Sequence, residues 1–79
     1  MSPDDVAVDR LVVAEAVRTL SARQREAVTL RYFCDLSESD TAAVLHLSVG
    51  ADKSHLDRAR RALRATLGPS LAQEIFDAD

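Results

Sequence analysis

The stretch Ser37 to Leu67, "SESDTAAVLHLSVGADKSHLDRARRALRATL", decides the fold. Ser37 with Asp40 three positions later is a helix start signal, since a serine hydroxyl can accept a hydrogen bond from a first-turn N–H. The helix it opens reaches about Leu45 and offers Ala42, Val44 and Leu45 for packing. His46-Leu47 then makes a tight connection, Ser48 caps a longer helix, and Gly68-Pro69 ends that helix after Leu67. A short helix, a connection of about three residues and a longer basic helix form the helix-turn-helix pattern, whose second helix enters the major groove of DNA.

Spacing of three and four residues places Val49, Asp52, Leu56, Ala59, Leu63 and Leu67 on one stripe of the longer helix, apolar everywhere except Asp52. That stripe is expected to face the core. Lys53, Ser54, Asp57, Arg58 and Arg61 form the opposite, solvent-facing stripe, with Arg60 and Arg64 flanking it in positions that suit phosphates. An Arg-rich helix face is ordinarily just a solvated face with favourable charge toward its C-terminus. The odds move because two capped helices, a tight turn and a basic face beginning one turn into the second helix occur together.

Working outward, Val6, Val13, Ala16, Val17 and Leu20 recur at helical spacing and predict a first helix over about Asp5 to Leu20, with Asp4 and Asp5 near its positive end. Ser21 and Gln24 read as a capping box opening a second helix, Ala22 to Phe33, that buries Ala27, Leu30, Phe33 and part of Val28. After Gly68-Pro69, Leu71, Ile75 and Phe76 suggest a short helix over Ser70 to Phe76 before an acidic tail. Only three of the 79 residues are aromatic although 47% are hydrophobic, so the core must be built from Ala, Val and Leu, which favours close-packed helices. The expected class is all-α: one four-helix domain over residues 1–79 containing a helix-turn-helix, with a short fifth helix in its C-terminal tail.

The net charge of −3 taken alone argues against nucleic acid, yet Lys53 to Arg64 carries a local +4 and the remainder −7. The lone Cys34 cannot form an internal disulfide, and no apolar run nears the ~18 residues of a membrane span. With no basic-then-apolar leader, a reducing cytoplasm is expected. Cys34, His46 and His55 lack the paired spacings of a zinc site, so no metal and no cofactor are expected, and Cys34 is expected in the core or half-buried. Four helices without a Gly-rich or strand-borne nucleophile turn give no basis for catalysis. The first helix is read as core, not as a membrane or partner surface.

The blocks "RQREAVTLRYF", "DLS", "AAVL", "SVG", "KSHL" and "RARRAL" stand in the order and spacing of a known family. From about Leu11 to Leu67 the chain resembles region 4 of bacterial RNA polymerase sigma factors, especially the extracytoplasmic-function (ECF) group. The resemblance implies a domain that reads the promoter's −35 element in double-stranded DNA and touches the flap of core RNA polymerase, with an anti-sigma factor as a further partner. Carried over by position, Lys53, Ser54, Asp57 and Arg58 match groove-facing and base-facing positions. Arg31 and the helix start near Glu38 match places that contact the DNA backbone, and Ser48 to Gly50 match the start of the recognition helix.

Two departures stand out. His46 occupies a turn position where the family usually has Gly, so a left-handed backbone is expected there at some cost. Asp52 replaces a Val that packs into the core, so its carboxylate must find a partner, reach solvent or be buried protonated. Asp57 has two readings: a carboxylate that accepts from cytosine N4, or an ion-pair partner of Arg61 or Lys53. Two function classes remain, promoter recognition and a region 4-like protein-interaction module with degraded DNA reading. A regulator type that ends in a similar helix-turn-helix is a weaker third, since its pattern lacks "LRYF" in this form.

Overall fold

The computed structural model describes residues 3–76, with side chains from Arg10 onward. All the regular structure within that span is helical: α1 (Pro3–Arg18), α2 (Ala22–Val28) running into a π-helical turn (Thr29–Phe33), α3 (Glu38–Leu45), α4 (Val49–Leu67) and α5 (Pro69–Phe76). The side chains of Asp4, Asp5 and Val6, and the tail residues 77–79, lie outside the described residues.

α1 ends two residues short of Leu20 because its last turn tightens. The N–H groups of Thr19 and Leu20 donate to the carbonyls of Ala16 and Val17, three residues back, and the Thr19 hydroxyl also donates to Ala16 O at 2.6 Å. Ala16, Val17 and Leu20 are buried and Val13 partly so. Leu11 and Val12 are exposed and, with Ala16, Thr19 and Thr66, line a shallow apolar groove, so α1 is not wholly core.

α2 starts after Ser21, but the expected capping box does not form: the Ser21 side chain makes no cap hydrogen bond, and Arg25 N–H donates to the Ser21 carbonyl at 2.8 Å. Ser48, by contrast, accepts from Ala51 N–H at 3.1 Å. A urea titration should therefore show Ser48→Ala lowering stability by about 1 kcal/mol through its midpoint, and Ser21→Ala by much less. Equal effects would show that the Ser48 hydroxyl contributes nothing as a cap.

The π turn corrects the sequence reading of the second helix. Cys34 N–H donates to the Thr29 carbonyl five residues back, and Leu36 N–H to Leu30 O, closing the turn through Asp35 at φ 57°. The i→i+5 pattern fits an extra residue into the turn and rotates the residues after it away from 3.6-residue spacing. Ala27 is fully buried as the helical spacing predicts, Val28 is fully buried where only part was expected, and Leu30 is only partly buried; Phe33 turns outward to 54% exposure and Cys34 is exposed, against the buried and the core or half-buried positions expected for them.

α4 is the axis of the fold and packs against α1, α2, α3 and α5. Leu56, Ala59 and Leu63 on its buried stripe meet Ala16 and Val17 of α1, Leu20 just beyond that helix, Ala27 and Val28 of α2, and Leu45 of α3 in one core. Ala at so many of these positions lets helices approach closely, so few large side chains need be buried. Val44 and Val49, expected to pack, are exposed: Thr41, Ala42 and Leu45 form the buried side of α3, and Asp52, Leu56, Ala59 and Leu63 that of α4. Gly68, at φ 87°, is where α4 ends, and Pro69 occupies the first position of α5, where a missing N–H and a fixed φ are tolerated. One dipeptide thus both stops a helix and starts the next, and Ala72 of α5 is fully buried.

Candidate nucleic-acid interface

The α3–α4 unit is built from two serine caps and one left-handed turn. Ser37 Oγ accepts from Asp40 N–H at 3.0 Å, and the Thr41 hydroxyl donates to the Ser37 carbonyl at 2.8 Å, which satisfies a polar side chain that is otherwise fully buried. α3 ends at His46, which adopts φ 57° and ψ 40° as expected for the position. His46 N–H donates to Ala43 O and Leu47 N–H to Ala42 O, the paired bonds of a Schellman motif that satisfy two orphan carbonyls. Arg23 of α2 takes a third, donating to Leu45 O at 3.2 Å. These bonds fix how the chain leaves α3 toward α4, and Leu45 of α3 joins Leu56 of α4 in the core.

On α4 so placed, Lys53, Ser54, Asp57, Arg58 and Arg61 are all exposed on one side. Ser48 and Gly50 stand exposed at its N-terminal end, and a Cβ at Gly50 would meet nothing within 4 Å, leaving the first-turn backbone open to approach. Glu38, the first residue of α3, reaches Lys53 with Oε2 3.6 Å from Nζ. Arg31, partly buried in the π turn with its guanidinium 5.4 Å from the Tyr32 ring centroid, and Glu38 both act electrostatically on Asp52. Arg31, Glu38, Asp52 and Lys53 are thus gathered around the first turn of α4.

Asp52 takes neither of the first two routes open to it. It is fully buried, and neither carboxylate oxygen has a hydrogen-bond partner. Burial first, and the negative charge of Glu38 second, push its carboxyl above the 3.8 of an ordinary aspartate, while His55 and Arg31 pull the other way. The side chain neither reaches solvent nor finds a hydrogen-bond partner, so burial here disfavours the charged form.

Arg60 departs from its expected role. It does not flank the exposed stripe as a phosphate contact but turns inward: Nε donates to the Tyr32 hydroxyl at 2.9 Å, Nη2 donates to the same oxygen, and the guanidinium lies 5.6 Å from the Tyr32 ring centroid and 5.7 Å from that of Phe76. Tyr32 and Phe76 meet edge to face at 5.1 Å, and Arg64 also lies over the Phe76 ring, 5.8 Å from its centroid. The ion-pair partner of Asp57 is Arg60, three residues on at 3.4 Å, in place of Arg61 or Lys53. The sequence signal for this cluster is the rarity of aromatics: two of the three in the chain are spent on one arginine.

Among the described residues no group of three or more His, Cys, Asp or Glu is placed to hold a metal ion, and no helix is long and apolar enough to cross a membrane. Comparison with known proteins bears on the same helices. The sequence model of the family described as Sigma-70, region 4 matches residues 10–63, from α1 through most of α4. The chain is 41% identical over 68 residues to the ECF RNA polymerase sigma factor SigL of Mycobacterium tuberculosis, an overlap of 84% of this chain and 38% of that protein. It is 41% identical over 59 residues to the RNA polymerase sigma-E factor of Streptomyces antibioticus, covering 75% of this chain and 33% of the relative. To the ECF RNA polymerase sigma factor BldN of Streptomyces coelicolor it is 39% identical over 69 residues, 84% of this chain and 26% of that one. The chain therefore spans about a third of the length of the curated relatives it matches. With well over half of its residues inside the family match, the chain belongs to the Sigma-70, region 4 family.

Proposed function

We propose that this chain reads the −35 promoter element for a sigma factor in transcription initiation, laying the exposed face of α4 in the major groove of double-stranded DNA. The family is a transcription-factor domain and not an enzyme. The observation that carries the reading is the exposed face itself: Lys53, Ser54, Asp57, Arg58 and Arg61 share one side of a capped helix joined to α3 by a tight left-handed turn. In this docking mode the N-terminal part of the second helix reaches base edges, and cations around it meet phosphates. Lys53, Ser54, Asp57 and Arg58 take the groove, Arg61 and Arg31 the phosphates, and Ser48, Gly50 and Glu38 border the N-terminal end of α4. The names of the relatives, RNA polymerase sigma factors, support RNA polymerase as a partner; the flap of the core enzyme as the contact, and an anti-sigma factor as a further partner, follow from the sequence resemblance alone.

A fluorescence-anisotropy titration of the 79-residue chain against a labelled promoter duplex tests this. If Arg31 and Arg61 neutralise two phosphates, raising salt from about 50 to 200 mM lowers affinity roughly twelvefold, Arg61→Gln flattens the salt slope by about 1, and Lys53→Gln or Arg58→Gln weakens binding through the groove. Absence of binding at the lower salt sinks the reading. The second function, a protein-interaction module, is favoured by one observation, the unpartnered carboxyl of Asp52 beneath the reading face. It predicts retention of core RNA polymerase by a chain that binds no duplex.

A further inference from the structure

Asp57 and Arg60 form a unit whose parts differ in freedom. The guanidinium of Arg60 is fixed from three directions: Nε and Nη2 on the Tyr32 hydroxyl, the Tyr32 ring, and the ring of Phe76, supplied by α5, which lies outside the residues the family match covers. Its remaining nitrogen, Nη1, donates to Asp57 Oδ1 at 3.4 Å. Arg60 is about one-third exposed at its side chain, while that of Asp57 is 63% exposed on the stripe that carries Lys53, Ser54 and Arg58.

An exposed ion pair is ordinarily weak because two long side chains must both be immobilised. Here one partner is already immobilised by aromatic stacking and hydrogen bonding within the fold, so little further entropy is lost when Asp57 settles against it. For a carboxylate near DNA this has two consequences. The Arg60 charge offsets the repulsion that Asp57 would exert on phosphates, and Arg60 engages Oδ1, which leaves Oδ2 to accept from a base on the reading face. In the major groove an aspartate acceptor matches the exocyclic N4 amino group of cytosine.

We infer that Asp57 is a specificity-determining residue that selects cytosine at one position of the bound site, and that Arg60, held by Tyr32 and Phe76, is the residue that positions it. The inference rests on the promoter-reading function above and deepens it. It gives α5 a part in recognition without contact to DNA, because Phe76 forms one wall of the slot that holds Arg60.

The test is selection from a randomised duplex library by the 79-residue chain and three variants, scored as the base preference at each position. Wild type prefers cytosine at one position by roughly five- to tenfold, the size expected of a single good base contact. Asp57→Asn moves that position toward adenine, which an amide recognises through N6 and N7, and leaves the other positions unchanged. Arg60→Met, which keeps an unbranched apolar chain against the two rings but removes the guanidinium, flattens the same position; Arg60→Lys keeps the charge without the planar fork and does not restore it. A purely structural role for Arg60 would lower affinity evenly at all positions and overturn the positioning claim. Binding with an unchanged profile in Asp57→Asn overturns the inference while promoter reading stands, and no binding to any duplex by wild type overturns both.

Discussion

Replacing Asp52 by Val raises the thermal stability of the domain, and the expected gain is large for a single substitution. In a fully buried position a carboxyl without hydrogen-bond partners leaves its desolvation uncompensated, which mutational data place at about 1–3 kcal/mol. Val removes that penalty and adds apolar contact at the seam between α3 and α4. In a domain of 79 residues each kcal/mol moves the melting temperature by about 4–8 °C, so differential scanning calorimetry resolves the effect easily. An unchanged or lower melting temperature would mean that the carboxyl has a satisfied role.

The same residue sets a pH dependence whose sign is opposite to that of a salt-bridged aspartate. Because burial and Glu38 raise the folded-state value above 3.8, the folded protein holds the Asp52 proton over a range in which the unfolded chain has released it. Stability contributed by this group is fully present below the ordinary value, declines as pH rises through the interval between the unfolded and folded values, and is lost above the folded one. Asp52→Asn keeps the shape and abolishes the titration. Urea denaturation of wild type and Asp52→Asn at several pH values, with the difference taken at each, isolates the group from Glu38, His55 and Arg31 around it. A difference that does not change with pH would show that Asp52 ionises alike in both states.

Asp52 also marks how far local pattern carries in this chain. Its place on the packing stripe follows from spacing alone, as do the Ser37 and Ser48 caps, the left-handed turn at His46 and the exposure of Lys53, Ser54, Asp57, Arg58 and Arg61. These features depend on residues within about one turn of each other, which periodicity and cap chemistry encode. Phe33 and Cys34 escape the helical count because a π turn inserts a residue into it, and nothing in "TLRYF" announces that turn. Val44 and Val49 are apolar but lie off the buried sides of their helices, which Thr41, Ala42 and Leu45 form on α3 and Asp52, Leu56, Ala59 and Leu63 on α4. Arg60 escapes it for a non-local reason: its partners Tyr32 and Phe76 lie 28 residues before it and on the last helix, so a cation that looks available for phosphate is committed inside the fold. The exposed face of α4 is thus legible in the sequence, and the cluster around Arg60 is not.

Leu63→Ala is expected to bring the domain close to unfolding. Leu63 is fully buried, and a buried Leu→Ala change lowers stability by about 2–5 kcal/mol. At ~0.05–0.15 kcal/mol per residue a chain of 79 residues has roughly 4–12 kcal/mol in all, and a core made largely of Ala and Val has few other large side chains to fall back on. Combining it with Asp52→Val turns this into a measurement of how the core is divided. Eleven residues of helix separate positions 52 and 63, about 16 Å, so the two effects should add to within ~0.5 kcal/mol and the double variant should recover a measurable transition. Leu56 lies one turn from Asp52 on the same stripe, and the space opened by Leu56→Ala gives the carboxyl room to rearrange or admit water. Asp52→Val and Leu56→Ala should therefore not add, because the gain from removing the carboxyl shrinks once it is no longer confined. Coupling as strong at Leu63 as at Leu56 would mean that the helix-turn-helix seam and the packing beneath α5 respond as one unit, and that the strain at Asp52 is carried by the whole domain.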